Sequence, residues 1–277
     1  MIQKPIFSPQ VEWLPPTEFP DLSKYSEIAI DLETKDPDLK TMGSGSVTGR
    51  GQIVGIAVAV RDWSGYYPVA HEGGGNMDKS MVMKWFQDVL NTETTKIFHN
   101  AMYDVCFIRA AGLKIFGKIV DTMIAGSLVD ENRFRYDLGS LGRDYVGRGK
   151  NEAVLAETAK EWGIDAKSEM YKLPAMYVGA YAEADAQLTL DLWQEMKKEI
   201  INQDIEDIFK LETELFPCLV DMRFLGVRVD TEAAYELKQK LLTEEKECLR
   251  IVQKETGVDA QIWAARSIAQ VFEKLHL

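Results

Sequence analysis

Four carboxylates stand in three separated and otherwise apolar stretches: Asp31 and Glu33 in 27-EIAIDLETKDPD-38, Asp104 in 99-HNAMYDVCFIRAAGL-113, and Asp185 in 177-YVGAYAEADAQLTLDLWQEMKKEI-200. In a strand successive side chains alternate faces, so Ile28, Ile30 and Leu32 point one way while Ala29, Asp31 and Glu33 point the other. Two neighbouring carboxylates repel each other unless a cation, a proton or an arginine offsets the charge. Taken alone, the D-x-E reads as a solvated strand end. The other two stretches change that reading. Asp104 follows Asn100 by four positions and Asp185 follows Tyr181 by four, spacings that place each pair on one side of a helix. Tyr181 and Asp185 also share the apolar stripe of Leu188 and Leu192, so they are expected to face the sheet rather than water.

Carboxylates gathered from three segments form a natural ligand set for two hard cations such as Mg²⁺ or Mn²⁺, which prefer oxygen. Only His71, His99 and His276 are available for imidazole-based zinc chemistry, which is poorly supported. His99 is expected to be a packed or capping residue, because the oxygen set is complete without it. A pair of such ions activates water and stabilises both oxygens of an in-line attack on phosphorus. Phosphodiester hydrolysis is the chemistry that fits.

The elements that must position these groups can be read from periodicity. The first strand leads through a Gly/Ser/Thr-rich connection, 41-TMGSGSVTGRG-51, into the β-like stretches 52-QIVGIAVAV-60 and 66-YYPVA-70. A dinucleotide-binding glycine loop is disfavoured there, since such a loop opens a helix and here a strand follows. Helices are expected over 78–90 with Asp78 as cap, over 99–113 closed by Gly112 after the short strand 96–98, and over 121–129, 138–145, 151–162 and 177–200. Strands first and helices later favour a mixed α/β sheet flanked by helices. Beyond about residue 205 only helical patterns remain, at 206–226, 231–257 and 264–277. We therefore expect an N-terminal segment (1–24), an α/β domain (25–203) and an all-helical extension (204–277).

A chain of 277 residues with 46% hydrophobic content can bury a sizeable core. No apolar run reaches membrane-spanning length and the start lacks a signal-peptide pattern, which points to the cytoplasm and away from the membrane. Cys106, Cys218 and Cys248 lie far apart, without disulfide or zinc-ribbon spacing. The net charge of −12 argues against a broad grip on duplex phosphates. It leaves room for a few nucleotides of single strand held by local arginines and stacking. Arg133, Arg135, Arg143, Arg148 and Lys150 in 133-RFRYDLGSLGRDYVGRGK-150 are the local candidates, with a solvated surface as the alternative reading.

The trio I-D-L-E, H-N-A-M-Y-D and Y-A-E-A-D resembles the three exonuclease motifs of the DEDD superfamily in its tyrosine form. These are the proofreading 3′-5′ exonuclease domains of family A DNA polymerases, and the related ribonuclease D group. The position of the histidine in the superfamily's other branch is Ala180 here. The stretch 120-VDTMIAGSLV-129 resembles the segment after the second motif, and 212-ETELFPCLVDMRFLGVRVD-230 resembles the entry to the polymerase region. A looser likeness covers 267–277. Nothing resembles the motifs that hold nucleotide and metal in a polymerase site, so polymerase activity is not expected of these residues.

The resemblance implies a ribonuclease H-like fold and two divalent ions. It assigns Asp31, Glu33 and Asp185 to the ion that binds the attacking water, and Asp31 with Asp104 to the ion near the leaving 3′ oxygen. Tyr181 would orient that water with Glu33, Asn100 would contact the terminal nucleotide, and Leu32 or nearby apolar residues would help to seat the last base. The expected partner is the 3′ end of single-stranded DNA, the chain being either a piece of a protein that carries a family A polymerase domain or a short stand-alone relative, and the products are nucleoside 5′-monophosphates. A ribonuclease D-like exoribonuclease would share every catalytic residue and differ in tolerating a 2′-hydroxyl. The helices after residue 205 favour DNA. A non-catalytic domain that binds a strand or braces a polymerase is the remaining alternative.

Overall fold

The computed structural model describes residues 10–277, and the chain divides into two compact units between Phe224 and Leu225. The first unit is built on a five-stranded sheet in the order β3-β2-β1-β4-β5, with β1 Glu27–Lys35, β2 Gln52–Val60, β3 Trp63–Pro68, β4 Thr95–Phe98 and β5 Ile119–Asp121. β1, β2 and β3 form an antiparallel meander, whereas β1, β4 and β5 run parallel. The helices follow in chain order: α1 Leu39–Met42, α2 Gly45–Thr48, α3 Lys79–Leu90, α4 Ala101–Ala110, α5 Thr122–Val129, α6 Leu138–Leu141, α7 Ala153–Trp162, α8 Gly179–Asn202 and α9 Glu206–Leu225. This is the ribonuclease H-like mixed sheet with flanking helices.

The expected alternation along β1 is the plan of the core. Ile28, Ile30 and Leu32 join Ile56, Val58, Tyr67 and Phe98 in one cluster with Val82 and Phe86 of α3 and Ala101 and Val105 of α4. Ala29, Ala57, Ala59 and Tyr66 occupy the opposite face, against Ala182, Ala186 and Leu190 of α8. That second face is lined by small side chains: Ala29 pairs with Ala59, Asp31 with Ala57 and Glu33 with Gly55. Small residues on both surfaces let a helix axis approach a sheet closely. They bring the α8 carboxylate toward β1.

Gly55 has a further role. A Cβ there would lie 2.0 Å from the Tyr66 hydroxyl, which instead spans the vacant position to reach His71 Nε2 at 2.7 Å. His71 Nδ1 donates to the Leu173 carbonyl at 3.0 Å, and burial holds its imidazole neutral with a pKa lowered to about 4.

Several elements differ from the sequence reading. β5 is only three residues long, too short to show a period, and the Gly/Ser/Thr-rich connection contains the single turns α1 and α2. α6 continues into a π-helical turn, Gly142–Val146. The expected domain boundary near residue 203 lies well short of the division after Phe224, because α9 belongs to the first unit through buried Phe209, Phe216 and Val220. The second unit contains α10 Thr231–Thr256 and α11 Ala265–Lys274, with the Asp230 carboxylate accepting from the Ala233 amide to start α10. Among the described residues, no helix is long and apolar enough to cross a membrane.

Gly55→Ala should destabilise the chain by about 1–3 kcal/mol, the usual cost of overpacking a filled core. Urea unfolding checks this: the midpoint should fall at unchanged slope, and an unmoved midpoint would show that Tyr66 can give way freely.

Candidate active site

β1 outlasts its parallel neighbour. Its pairing with β4 covers Glu27 to Ala29, so the far end of the strand has no ladder partner on that edge. There the buried Asp104 carboxylate takes the place of a strand carbonyl and accepts the Leu32 amide at 3.0 Å. On the other edge the β1–β2 register shifts between Glu33 and Thr34, a local irregularity of the kind that re-aims side chains beside functional sites. Asp31 and Glu33 sit half-buried between these two features.

Asp104 is carried by the first turn of α4, and the turn before it is unusual. Asn100 adopts a left-handed conformation, φ 63° and ψ 50°, which asparagine tolerates better than most residues. The backbone is held there by Asp121, whose Oδ1 accepts from the Asn100 amide at 2.9 Å and whose Oδ2 accepts from the Ala101 amide at 2.7 Å. The same carboxylate caps α5 through the Met123 amide. Asp121 thus ties the carboxyl end of β5 to the start of the helix that presents Asp104.

α8 supplies Asp185 and Tyr181. Asp185 is 2% exposed, and its Oδ2 lies 2.5 Å from Lys150 Nζ while its Oδ1 has no hydrogen-bond partner. Lys150 Nζ also donates to the Tyr181 hydroxyl at 2.8 Å.

Electrostatics follow from this crowding. Burial first, and the charge of Asp185 second, push the Asp31 carboxyl up to about 7, with Lys150 opposing. Burial and then Asp31 raise Glu33 and Asp104, and burial raises Asp185 against the pull of Lys150. Burial together with the nearby Glu33, Asp185 and Asp31 drives the Tyr181 phenol upward, so it stays protonated at neutral pH. His99 hydrogen-bonds Thr122 Oγ1 at 2.8 Å, and burial followed by Lys150 lowers it to about 4.

Asp31, Glu33, Asn100, Asp104 and Tyr181 line one open cleft of about 810 Å³ together with Arg135, Tyr136, Met123, Lys150, Lys167 and Met170. Arg133, by contrast, is absent from that lining. Its guanidinium pairs with Asp144 and lies over the Tyr145 ring. Leu32 borders the cleft, but its side chain is 6% exposed and packs in the core on the opposite face, so its amide is what serves the site. Sequence reasoning assigned no role to Asp121, Tyr103 or Lys150 at the carboxylates. Tyr103, between Asn100 and Asp104 in sequence, joins the cleft wall to β1 through Thr34 Oγ1 at 2.8 Å and to the residue just after that strand through Asp36 Oδ2 at 3.2 Å. Its place inside H-N-A-M-Y-D was the available signal; for Lys150 only its position in a basic stretch was.

The residues fit a divalent cation in kind. All four ionisable donors are oxygens, and a buried Asp185 oxygen lacks a partner. Among the described residues, no three Asp, Glu, His or Cys side chains already converge tightly enough to hold a metal ion. The ammonium of Lys150 stands beside them instead.

Residues 19–201 match the family described as 3′-5′ exonuclease. The chain belongs to this family. A DNA-directed DNA polymerase of Pseudomonas phage M6 is 33% identical over 99% of this chain and 43% of its own length. The exonuclease chain spans less than half the length of the curated relatives it matches. Among solved structures, the POL domain of Pol1 from M. smegmatis in complex with DNA primer-template and dNTP aligns with TM-score 0.61 and 15% identity, covering 91% of this chain and 38% of that one. Brucella melitensis NrnC with bound Mg²⁺ aligns with TM-score 0.53 and 15% identity, covering 74% and 89%. At such identities the two structures establish the exonuclease domain's fold alone.

The raised carboxyl of Asp31 has a measurable consequence. In the unfolded chain it ionises near 3.8 and in the folded chain near 7. The stability it contributes is therefore present below about pH 4 and lost as the pH rises toward 7. In a chelating buffer, the melting temperature of Asp31→Asn relative to the parent chain should climb across that window. A difference independent of pH would show that Asp31 is not under this charge pressure.

Proposed function

We propose that the chain hydrolyses phosphodiester bonds from the 3′ end of single-stranded DNA and releases nucleoside 5′-monophosphates one at a time. The observation that supports this reading is that Asp31, Glu33 and Asp104 line one cleft, while the buried Asp185, outside that lining, lies near enough for its charge to act on Asp31 and Glu33, within a family of 3′-5′ exonucleases. Those four side chains would hold two divalent ions, Mg²⁺ or Mn²⁺. When bound, such ions supply Lewis acidity toward phosphate oxygens and lower the pKa of a coordinated water.

The remaining residues bind and orient. Tyr181 keeps its proton at neutral pH, so it acts as a hydrogen-bonding group toward the attacking water and not as its base. Asn100, exposed at the mouth of the cleft, is positioned to meet the terminal nucleotide, and Arg135 to meet a backbone phosphate. Met123, Tyr136 and Met170 supply apolar and aromatic surface for a base. The polymerase names of the longer relatives support a proofreading role beside a polymerase domain, and favour DNA over RNA as substrate.

A time course on 5′-labelled single-stranded DNA and matching RNA with Mg²⁺ tests the reading. A ladder should shorten from the 3′ end on DNA and stop with a chelator, while Asp185→Asn should lower the rate by at least a hundredfold and remain folded. A ladder confined to RNA would replace the substrate. Undiminished cleavage by the variant would overturn the site.

A further inference from the structure

We propose that Lys150 is a tethered cation of the carboxylate site: its ammonium holds Asp185 and Tyr181 in place before a divalent ion binds, and it competes with that ion for Asp185. This rests on the reading that the four carboxylates bind divalent cations.

The geometry is specific. Nζ lies 2.5 Å from Asp185 Oδ2 and 2.8 Å from the Tyr181 hydroxyl, and 5.1 Å from the centre of the Tyr181 ring. A single ammonium therefore engages both of the α8 residues that the exonuclease reading requires. It satisfies only half of the Asp185 carboxylate, since the buried Oδ1 remains without a partner. The unpartnered Oδ1 leaves room on Asp185 for a further positive ligand, so the carboxylate is held and not saturated.

Lys150 can also leave without unfolding its surroundings. Its backbone lies in the short 147–152 connection between the π-helical turn and α7, and this connection is pinned from the outside by the Arg148 guanidinium on Asp191 of α8. The Lys150 side chain is 26% exposed and borders the open cleft. A flexible four-carbon stem with a compact charge can swing into that space while the loop stays anchored. Arginine at this position would keep the charge, and methionine would keep the stem without it.

Mn²⁺ binding to the whole chain, measured by calorimetry without nucleic acid, separates the possibilities. Lys150→Met should bind Mn²⁺ at least tenfold more tightly than the parent, and Lys150→Arg should stay within about threefold of it. In chelator Lys150→Met should melt below the parent, and saturating Mn²⁺ should reverse that order. If Mn²⁺ binds, Asp31→Asn weakens it, and Lys150→Met leaves the affinity unchanged or lowers it, the competition is refuted while the metal site stands. If neither chain binds Mn²⁺ at these carboxylates, both readings fall.

Discussion

The repulsion among Asp31, Glu33, Asp104 and Asp185 is the constraint around which the first unit is organised. Left to themselves, buried like charges would separate or take up protons. Here each is fixed by a different device. Asp31 and Glu33 are fixed by strand register, Asp104 by the Leu32 amide that a parallel neighbour would otherwise engage, and Asp185 by a helix that small residues allow close to the sheet. Burial first, and the neighbouring carboxylates second, raise Asp31, Glu33 and Asp104, so without a cation the confinement is met in part by bound protons. A site held under this pressure gains most from a ligand of high positive charge, which is how a charge conflict in the fold becomes affinity for a cation.

Support for the site reaches well behind the residues that line the cleft. Asp121 braces two helix starts at once and stabilises the left-handed Asn100. Gly55 leaves room for the Tyr66–His71 link, and Glu183, two residues before Asp185, accepts from both the Trp13 indole and the Tyr66 amide. Asp121 thus ties β5 to the starts of α4 and α5, and Glu183 ties α8 to β3.

Much of this was legible in the sequence because it obeys periodicity. Alternation along 28–33 fixed which side of β1 carries the charges, and the four-residue spacing of Tyr181 and Asp185 put both toward the sheet. What escaped was governed by contacts distant in sequence or by elements too short to repeat. β5 has three residues; Lys150 meets Asp185 across thirty-five positions of chain; Arg133 is drawn from the cleft by Asp144 and Tyr145, which charge counting could not foresee. Leu32 was given a base contact on the family resemblance, although strand alternation itself sends its side chain into the core. Strand alternation ends near residue 205, whereas the packing of the first unit continues to Phe224.

The central claim is that carboxylates from β1, α4 and α8 form one divalent-cation site. Anomalous scattering from a crystal of the chain soaked in Mn²⁺ and a nucleoside 5′-monophosphate tests it most directly. The account predicts anomalous peaks contacting Asp31, Glu33, Asp104 and Asp185, with the nucleotide phosphate beside them and Lys150 moved off Asp185. Peaks only elsewhere, with the four carboxylates and Lys150 unchanged, would contradict it.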